Sequence, residues 1–184
     1  MLKPMSSRGP VVRGFHSLGF TTIVASIFAT VSTSPLALAQ CFDWVQRPGT
    51  YQPSQGNSSA MTFDSARGCV VLFGWQNGSP PGPTTWLWGG SSWVRCLPAN
   101  QPPNRYEHAM TFDSRRNVVV LFGGTNGSSG DLGDTWEWDG FNWTQRATDG
   151  PSPRRLHAMA YDSTRGVVVM FGGTPSSGQP FGDT

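Results

Sequence analysis

The chain has 184 residues, with 13 Lys plus Arg, 11 Asp plus Glu and a net charge of +2. Lys3, Arg8 and Arg13 lie near the N-terminus, and residues 40–184 hold ten arginines, no lysine and eleven acidic residues, a net charge of −1. Nucleic acid and acidic membranes are bound through concentrated basic surface, which a nearly neutral segment with dispersed arginines lacks. We therefore exclude nucleic acid and a membrane surface as partners of the mature chain.

Residues 1–39 have the features of a secretory signal peptide. Basic residues precede an apolar run over 18–31, and Ala37-Leu38-Ala39 precedes Gln40 as a cleavage site would. Polar residues interrupt the apolar run and Pro35 follows it, which disfavours the alternative of an uncleaved membrane anchor. We predict cleavage after Ala39 and a secreted or periplasmic location for the mature protein.

Three sequence blocks recur at intervals of 49 residues. Met-Thr-Phe-Asp-Ser occurs at 61–65 and 110–114, and Met-Ala-Tyr-Asp-Ser occurs at 159–163. Each block is followed, again at intervals of 49, by Leu-Phe-Gly or Met-Phe-Gly. Self-similarity at this period is typical of arrays of supersecondary units that cannot bury their apolar surfaces singly. Function is therefore expected to belong to the assembled array.

The three cysteines, Cys41, Cys69 and Cys96, would lie in a compartment that permits disulfides. They allow at most one internal bridge, and their spacing does not fix the pairing. Cys69 aligns with Val118 and Val167 of the later repeats, which favours the role of a small, buried apolar residue.

Each repeat predicts four antiparallel strands. In the second repeat these cover 108–113, 116–122, 135–139 and 142–146, and an Asp-Ser-x-Arg turn joins the first two. The apolar, β-branched runs at 116–122 and 165–171 predict strands that are buried on both faces. No segment outside the signal shows a helical period, so we predict an all-β fold.

The spacing of glycines and tryptophans resembles that of the kelch repeat family. In the second repeat Gly123-Gly124 follows the second predicted strand, and six residues separate Trp136 from Trp143, as in kelch repeats. The resemblance covers residues 42–184 and implies a β-propeller of four-stranded antiparallel blades that pack face to face around an axis.

The other two repeats keep parts of this pattern. The first retains Trp86 and Trp93 but has Gly74-Trp75 in place of a glycine pair. The third has Gly172-Gly173, and its last residue in this sequence, Thr184, aligns with Thr135, which directly precedes Trp136 in the second repeat. About two and a half blades are therefore expected here, in a fragment of a longer protein.

The resemblance divides the chain into five segments. They are a signal peptide at 1–39, an outer strand of a closing blade at 40–48, a first blade at 49–97, a second blade at 98–147 and an incomplete third blade at 148–184. The outer strand is assigned because 42–47 matches 141–146, the closing segment of a repeat. Propellers have about four to eight blades, so missing C-terminal blades or other subunits are expected to close the ring.

Four residues at repeat-equivalent positions are candidates for binding: Arg105, His108, Arg154 and His157. They stand at the start of the predicted innermost strand, where histidines of adjacent blades could hold a metal. A structural role within the repeat is favoured, because no cysteine or carboxylate cluster accompanies them at ligand spacing. We predict no metal and no cofactor.

Long loops rich in Gly, Ser, Pro and Asn are predicted at 75–84, 124–134 and 173–183. Strand alternation places them on the same face as the Pro-rich linkers at 97–104 and 147–153. Recognition concentrates on long loops held by a rigid scaffold, so this face is the expected binding surface. Its candidates are Trp75, which replaces a repeat glycine, Asn77 and Asn126. The tryptophans at repeat-locked positions are expected to pack between blades rather than to stack on sugars.

The residues suggest a binding protein more than an enzyme. We find no nucleophile motif, no paired carboxylates in a suggestive context and no phosphate loop. The favoured function is a non-catalytic secreted scaffold that binds protein or carbohydrate through its long loops. The alternative is a galactose-oxidase-like or other sugar-acting propeller enzyme whose active site lies outside this chain, since Tyr51, Tyr106 and Tyr161 lack the context of the oxidase copper site.

Overall fold

The structure is a computed structural model that describes residues 52–53, 58–76, 82–127 and 130–184, without the side chains of Trp75 and Gln76. The chain divides into two compact units, Met1–Val45 and Gln46–Thr184, and every described residue belongs to the second. The predicted signal peptide, the predicted outer strand at 40–48, Cys41 and Asn77 lie outside the described residues.

The described residues form ten strands in three antiparallel sheets, one for each repeat. The first sheet has the order β1-β2-β3-β4, the second β5-β6-β7-β8, and the third consists of β9 and β10. The strands are β1 (Ala60–Asp64), β2 (Cys69–Gln76), β3 (Gly82–Trp88), β4 (Trp93–Cys96), β5 (Ala109–Asp113), β6 (Val118–Phe122), β7 (Thr135–Trp138), β8 (Trp143–Ala147), β9 (Ala158–Asp162) and β10 (Val167–Phe171).

The all-β prediction is confirmed, and the strands of the second repeat begin and end within two residues of their predicted bounds. No helix occurs in the part of the chain that the structure describes, and hence none there is long and apolar enough to span a membrane.

The predicted Asp-Ser-x-Arg turns close the first hairpin of each sheet. The Oδ1 atoms of Asp64, Asp113 and Asp162 each accept two backbone hydrogen bonds of 3.0 Å. The donors are the N–H groups of the residues two and three positions after each aspartate. Such side-chain acceptance fixes a tight turn, and the arginine of the motif pairs with the same carboxylate in every repeat. Arg67 also donates to the carbonyl oxygens of Asn117, at 3.0 Å, and Asp139, and so links the first sheet to the second.

The central hydrophobic core lies between the first two sheets. Strand pairing places Met110, Phe112, Val119, Trp138 and Trp143 on one face of the second sheet, which we call the tryptophan face. It packs on the valine face of the first sheet, which carries Val71 and Phe73 together with the partly buried Ala60, Cys69, Leu87 and Cys96. The five residues named on the tryptophan face, and Val71 and Phe73 on the valine face, are all at most 8% exposed. One face of the second sheet and a different face of the first sheet therefore bury each other.

Trp143 joins this core by both packing and a hydrogen bond. Its ring lies edge-on to that of Phe73, with centroids 5.3 Å apart, and its Nε1 donates to Thr85 Oγ1 at 2.9 Å. Trp138 packs against it at 5.6 Å, and Trp136 is partly buried against the same cluster. The prediction that these three tryptophans pack between sheets is confirmed.

The predicted burial on both faces holds for β6 and is wrong for β10. Val119, Val120, Leu121 and Phe122 are all buried, because the second sheet lies between the first and the third. In β10 exposed and half-buried residues alternate. The reason is that one face of this two-stranded sheet has no further sheet packed on it among the described residues.

Cys69 and Cys96 are both free and half-buried on the valine face of the first sheet. Burial raises the pKa of both thiols, and the nearby Asp64 carboxylate adds to the effect at Cys69. Their packing against the core agrees with the apolar role predicted for Cys69. The two do not pair with each other.

The glycine pair of the second repeat ends β6 and turns the chain. Gly123 and Gly124 have φ angles of +64° and +93°, and a Cβ on Gly124 would lie 2.5 Å from the carbonyl oxygen of Tyr106. Trp75 occupies the position of Gly124 in the first repeat, where β2 runs on to Gln76 and pairs with β3 from Gly82. The long loop predicted at 75–84 is therefore wrong at both ends, since residues 75–76 and 82–84 are strand.

Candidate functional site

The long loop of the second repeat and the linker to the third repeat lie together, as predicted. Gly124 N–H donates to Arg154 O at 2.9 Å, and Arg154 N–H donates to Leu132 O at 3.2 Å. Leu132 N–H in turn reaches Gly124 O at 2.7 Å. These bonds define a loop face at the boundary of the second and third repeats, formed by residues 104–107, 123–127, 130–134 and 153–156.

The loop on this face is held by hydrogen bonds of its own. Tyr106 and Thr125 exchange backbone hydrogen bonds of 2.7 and 2.9 Å, and Thr125 Oγ1 donates to Gly130 O at 3.0 Å. Gly127 N–H donates back to Thr125 Oγ1 at 3.2 Å. The predicted candidate Asn126 is half-buried within this turn. A loop tied at several points can present fixed side chains to a ligand.

The candidate Arg105 is fully buried and forms a bidentate ion pair with Asp134, at 2.7 and 2.8 Å. Its Nη1 also donates to Gly123 O at 3.1 Å and its Nε to Pro103 O at 3.2 Å. Burial opposes ionisation of Asp134, but the hydrogen bonds and charge of Arg105, together with the hydrogen bond from Trp136, outweigh burial and hold the pKa of the carboxyl below its usual value. The pair thus ties the start of the repeat to the end of its long loop.

Arg154 repeats this arrangement in the third repeat. It contacts both oxygens of Asp183 at 2.6 and 2.9 Å, together with Gly172 O at 3.0 Å and Ser152 O at 3.1 Å. Since both arginines are at most 1% exposed and fully engaged, the structure gives them a role in the repeat. A direct contact of either with a ligand stays a prediction.

The first repeat lacks both charges of this pair. Its sequence has Gly56 at the arginine position and Thr84 at the aspartate position. Thr84 Oγ1 accepts from Trp86 Nε1 at 3.2 Å, as Asp134 Oδ2 accepts from Trp136 Nε1 at 2.7 Å. Losing both charges together avoids a buried charge without a partner, which is the costly state.

His108 and His157 lie at the junctions between successive sheets. His108 packs edge-on against Phe73, with ring centroids 5.6 Å apart, and His157 against Phe122 at 5.5 Å. Burial, with a smaller effect of Arg105, lowers the pKa of His108 to about 3. Burial, followed by Arg154, lowers the pKa of His157 to about 4. Both rings are therefore neutral at ordinary pH and pack as aromatic groups.

The described residues contain no group of three or more His, Cys, Asp and Glu side chains placed to hold a metal ion. For the remaining candidates, the backbone of Trp75 continues β2, and Asn77 lies outside the described residues.

A cluster that sequence reasoning missed lies on the loop face. Arg155 stands between two carboxylates, with Nη1 3.6 Å from Glu107 Oε2 and Nε 3.7 Å from Asp131 Oδ1. These distances exceed that of a hydrogen bond, and Glu107 Oε2, Asp131 Oδ1 and Arg155 Nε have no hydrogen-bond partner among the described residues. Asp131 Oδ2 accepts the backbone N–H of Ser176. We call Glu107, Asp131 and Arg155 the rim cluster.

The rim cluster is specific to one boundary between repeats. Ser58 and Leu156 occupy the position of Glu107 in the other repeats, and all three have φ angles between +57° and +59°. The fold therefore requires this backbone conformation but not the carboxylate. Tyr106 stands at the position of Arg155 in the second repeat, and Pro180 at that of Asp131 in the third. The signal that could have revealed the cluster is charge at positions where the other copies are uncharged.

A separate cavity of about 290 Å³ lies where the linker before the second repeat meets β7 and β8. Its lining combines tryptophan with amide and hydroxyl groups: Asn100, Gln101, Trp136, Trp143, Thr144 and Gln145. Amides, hydroxyls and an indole ring are suited to hydroxyl-rich ligands, since they offer both hydrogen bonds and an apolar surface.

No family model matches the chain, and no curated protein matches its sequence. The assignment of a function therefore depends on the residues and their geometry.

Proposed function

We propose that the chain is part of a secreted kelch-type β-propeller that acts as a non-catalytic scaffold and binds protein or carbohydrate through its long loops. The recurring glycines and tryptophans support the kelch type, and three antiparallel sheets with complementary faces support the propeller. Closure of the ring requires further blades or subunits.

The observation that carries the binding function is the rim cluster. A buried or half-buried charge normally has its hydrogen bonds satisfied, yet three polar atoms here lack partners among the described residues. The side chains of Glu107 and Arg155 are 28% and 32% exposed, so a ligand can reach them. Two carboxylates and one guanidinium carry a net charge of −1, which suits sugar hydroxyls or a basic side chain of a protein.

The proposal is tested with an array of neutral and acidic oligosaccharides and a set of lysine- and arginine-rich peptides. We expect the chain to bind a neutral oligosaccharide or a basic peptide. The double variant Arg155→Ala with Asp131→Asn should reduce the affinity for that ligand at least tenfold. Loss of one charge-assisted hydrogen bond is worth about 1.5–3 kcal/mol, or roughly a tenfold change or more in affinity. Binding of sugars identifies a carbohydrate ligand, and binding of peptides alone identifies a protein ligand.

Arg165→Ala is the matched control. This arginine belongs to a hairpin turn away from the loop face, its side chain is 75% exposed, and its pair with Asp162 is a surface pair. It should leave binding unchanged. Failure of the chain to bind any probe, or equal binding by the rim variant and the wild type, would refute a binding role for this face.

A further inference from the structure

The cavity where the linker of the second repeat meets β7 and β8 has walls that are held in place. Ala99 N–H donates to Asn142 Oδ1 at 2.9 Å, and Trp143 N–H donates to Asn100 O at 3.3 Å, so the linker is tied to the start of β8. Pro102, which follows in the linker, is fully buried. Walls fixed in this way need little reordering when a ligand enters, which favours binding.

The indole ring of Trp136 forms the apolar side of the cavity. Its Nε1 donates to Asp134 Oδ2 at 2.7 Å, which fixes the orientation of the ring. Trp136 is only partly buried against the core between the first two sheets, whereas Trp143, which also lines the cavity, is fully buried. Part of the surface of Trp136 is therefore left for a ligand to contact.

The remaining lining is polar and uncharged. It consists of exposed residues with amide or hydroxyl side chains, which both donate and accept hydrogen bonds: Asn100, Gln101, Thr144 and Gln145. The backbone of Gln145 adds a donor and an acceptor, because Trp143 N–H points away from β7 and alternate residues of an antiparallel strand share that direction. None of the six lining residues is ionisable.

We propose that this cavity binds one neutral sugar ring. The hydroxyl groups of a sugar donate and accept, and its C–H faces pack on an indole, so it matches both parts of the lining. A phosphate, a carboxylate or a basic side chain would lose its hydration here without gaining an opposite charge. The volume of about 290 Å³ is close to the lower limit of roughly 300–1,000 Å³ for small-molecule sites, which suits a single ring.

The repeat does not require this lining. Val94 and Arg95 stand at the positions of Thr144 and Gln145 in the first repeat, where they also form the fourth strand of a sheet. A hydroxyl and an amide are thus not needed to build the strand, and their presence in the second repeat is available for a ligand.

An extended peptide fits the cavity less well than a sugar. A peptide that adds a strand to a sheet pairs with an open row of backbone groups along the edge. The linker already occupies the N–H of Trp143 in that row and closes the start of the edge of β8. The cavity therefore suits a compact ligand rather than a strand.

The test is the binding of methyl glycosides of glucose, galactose, mannose and N-acetylglucosamine, measured by ligand-observed NMR titration. We expect at least one of them to bind, and glucuronic acid and glucose 6-phosphate to bind about tenfold more weakly or worse, since the lining offers them no counter-charge. A chain that binds none of the neutral glycosides would overturn the proposal. Equal affinity for neutral and charged sugars would do the same.

Thr144→Val with Gln145→Arg gives the cavity the residues of the first repeat. Both positions are exposed and a strand tolerates the new side chains in the first repeat, so the fold should persist, which circular dichroism verifies. The double variant should lower the affinity for the glycoside about tenfold, because it removes two hydrogen-bonding side chains and introduces a charge. Thr148→Val is the matched control, since Thr148 is exposed and does not line the cavity. Wild-type affinity in the double variant would contradict the proposal.

This inference goes beyond the binding proposed for the loop face and does not rest on it, because the cavity shares no residue with the rim cluster. Arg155→Ala with Asp131→Asn should leave the affinity for the methyl glycoside unchanged. Loss of glycoside binding in this rim variant would place the sugar at the rim cluster and overturn the inference. Glycoside binding that only the cavity variant loses supports the cavity, whatever the rim cluster binds.

Discussion

At the scale of single residues, the ion pair of Arg105 and Asp134 connects the start of the second repeat to the end of its long loop. The guanidinium is buried and makes four hydrogen bonds, two of them to the carboxylate. The first repeat has neither charge, and its Thr84 accepts only the local hydrogen bond from Trp86 that Asp134 accepts from Trp136. We therefore expect the largest loss of folding stability when only one of the two charges is removed.

Asp134→Asn should lower the free energy of unfolding by about 3 kcal/mol, because it leaves Arg105 buried without a counter-charge. The double variant Arg105→Gly with Asp134→Thr, which copies the first repeat, should cost less than the two single changes together. Urea denaturation followed by tryptophan fluorescence measures both. Asp149→Asn is the control, since Asp149 is exposed. Equal stability of Asp134→Asn and the control would show that the pair contributes nothing net.

At the scale of elements, the glycine pair decides where a strand ends. In the second repeat the positive φ angles of Gly123 and Gly124 direct the chain from β6 into the loop face. In the first repeat a non-glycine residue, Trp75, stands at the second position, and β2 continues by three residues beyond the end of its counterpart. Residues that form loop in the second repeat thus correspond to strand in the first.

Gly124→Ala should destabilise the chain more than Gly127→Ala. Both glycines have positive φ angles, +93° and +81°, so each substitution pays the strain of a side chain in this region, about 1 kcal/mol. Only at Gly124 would the new Cβ also meet backbone, 2.5 Å from Tyr106 O. We expect a melting temperature several degrees lower for Gly124→Ala than for Gly127→Ala. Equal melting temperatures would mean that the loop moves freely to accommodate the methyl group.

The strands and turns could be predicted because their signals are local. A run such as Val118 to Phe122 is too short and too β-branched for a helix, and the aspartate of each turn bonds to backbone two and three residues away. The exposure of β10 could not be predicted from its sequence, which is almost that of β6. Burial there depends on whether a neighbouring sheet is present, which is a property of the array.

The candidate site was only partly predictable for a related reason. Repeat alignment drew attention to Arg105 and His108, which the structure places in the packing and hydrogen bonding of the repeat. Residues that recur at equivalent positions in each copy are those that the repeat itself needs. The rim cluster combines Glu107, Asp131 and Arg155 from three segments, and none of these charges recurs in the other copies. Only the meeting of the loop with the following linker brings them together.

At the scale of the whole molecule, the histidines couple the packing of successive sheets to pH. His108 and His157 each place a neutral ring against a phenylalanine of the preceding sheet. The pKa is lowered to about 3 for His108 and about 4 for His157, whereas a histidine in the unfolded chain has its usual value of 6.5. Between pH 6.5 and 4 the unfolded state therefore binds protons that the folded state does not, so folding stability falls as the pH falls.

The melting temperature should accordingly be highest above pH 6.5 and should decrease steadily from pH 7 to pH 5. The carboxylates Asp113, Asp134 and Asp183 do not produce this decrease, because their pKa values are lowered from 3.8 and they titrate below the window. The double variant His108→Phe with His157→Phe retains an aromatic ring at both junctions and removes both titrating groups. Its melting temperature should change much less between pH 7 and pH 5, as measured by calorimetry. A wild-type chain with equal melting temperatures at the two values, or a double variant with the wild-type slope, would show that the histidines are not the source of the dependence.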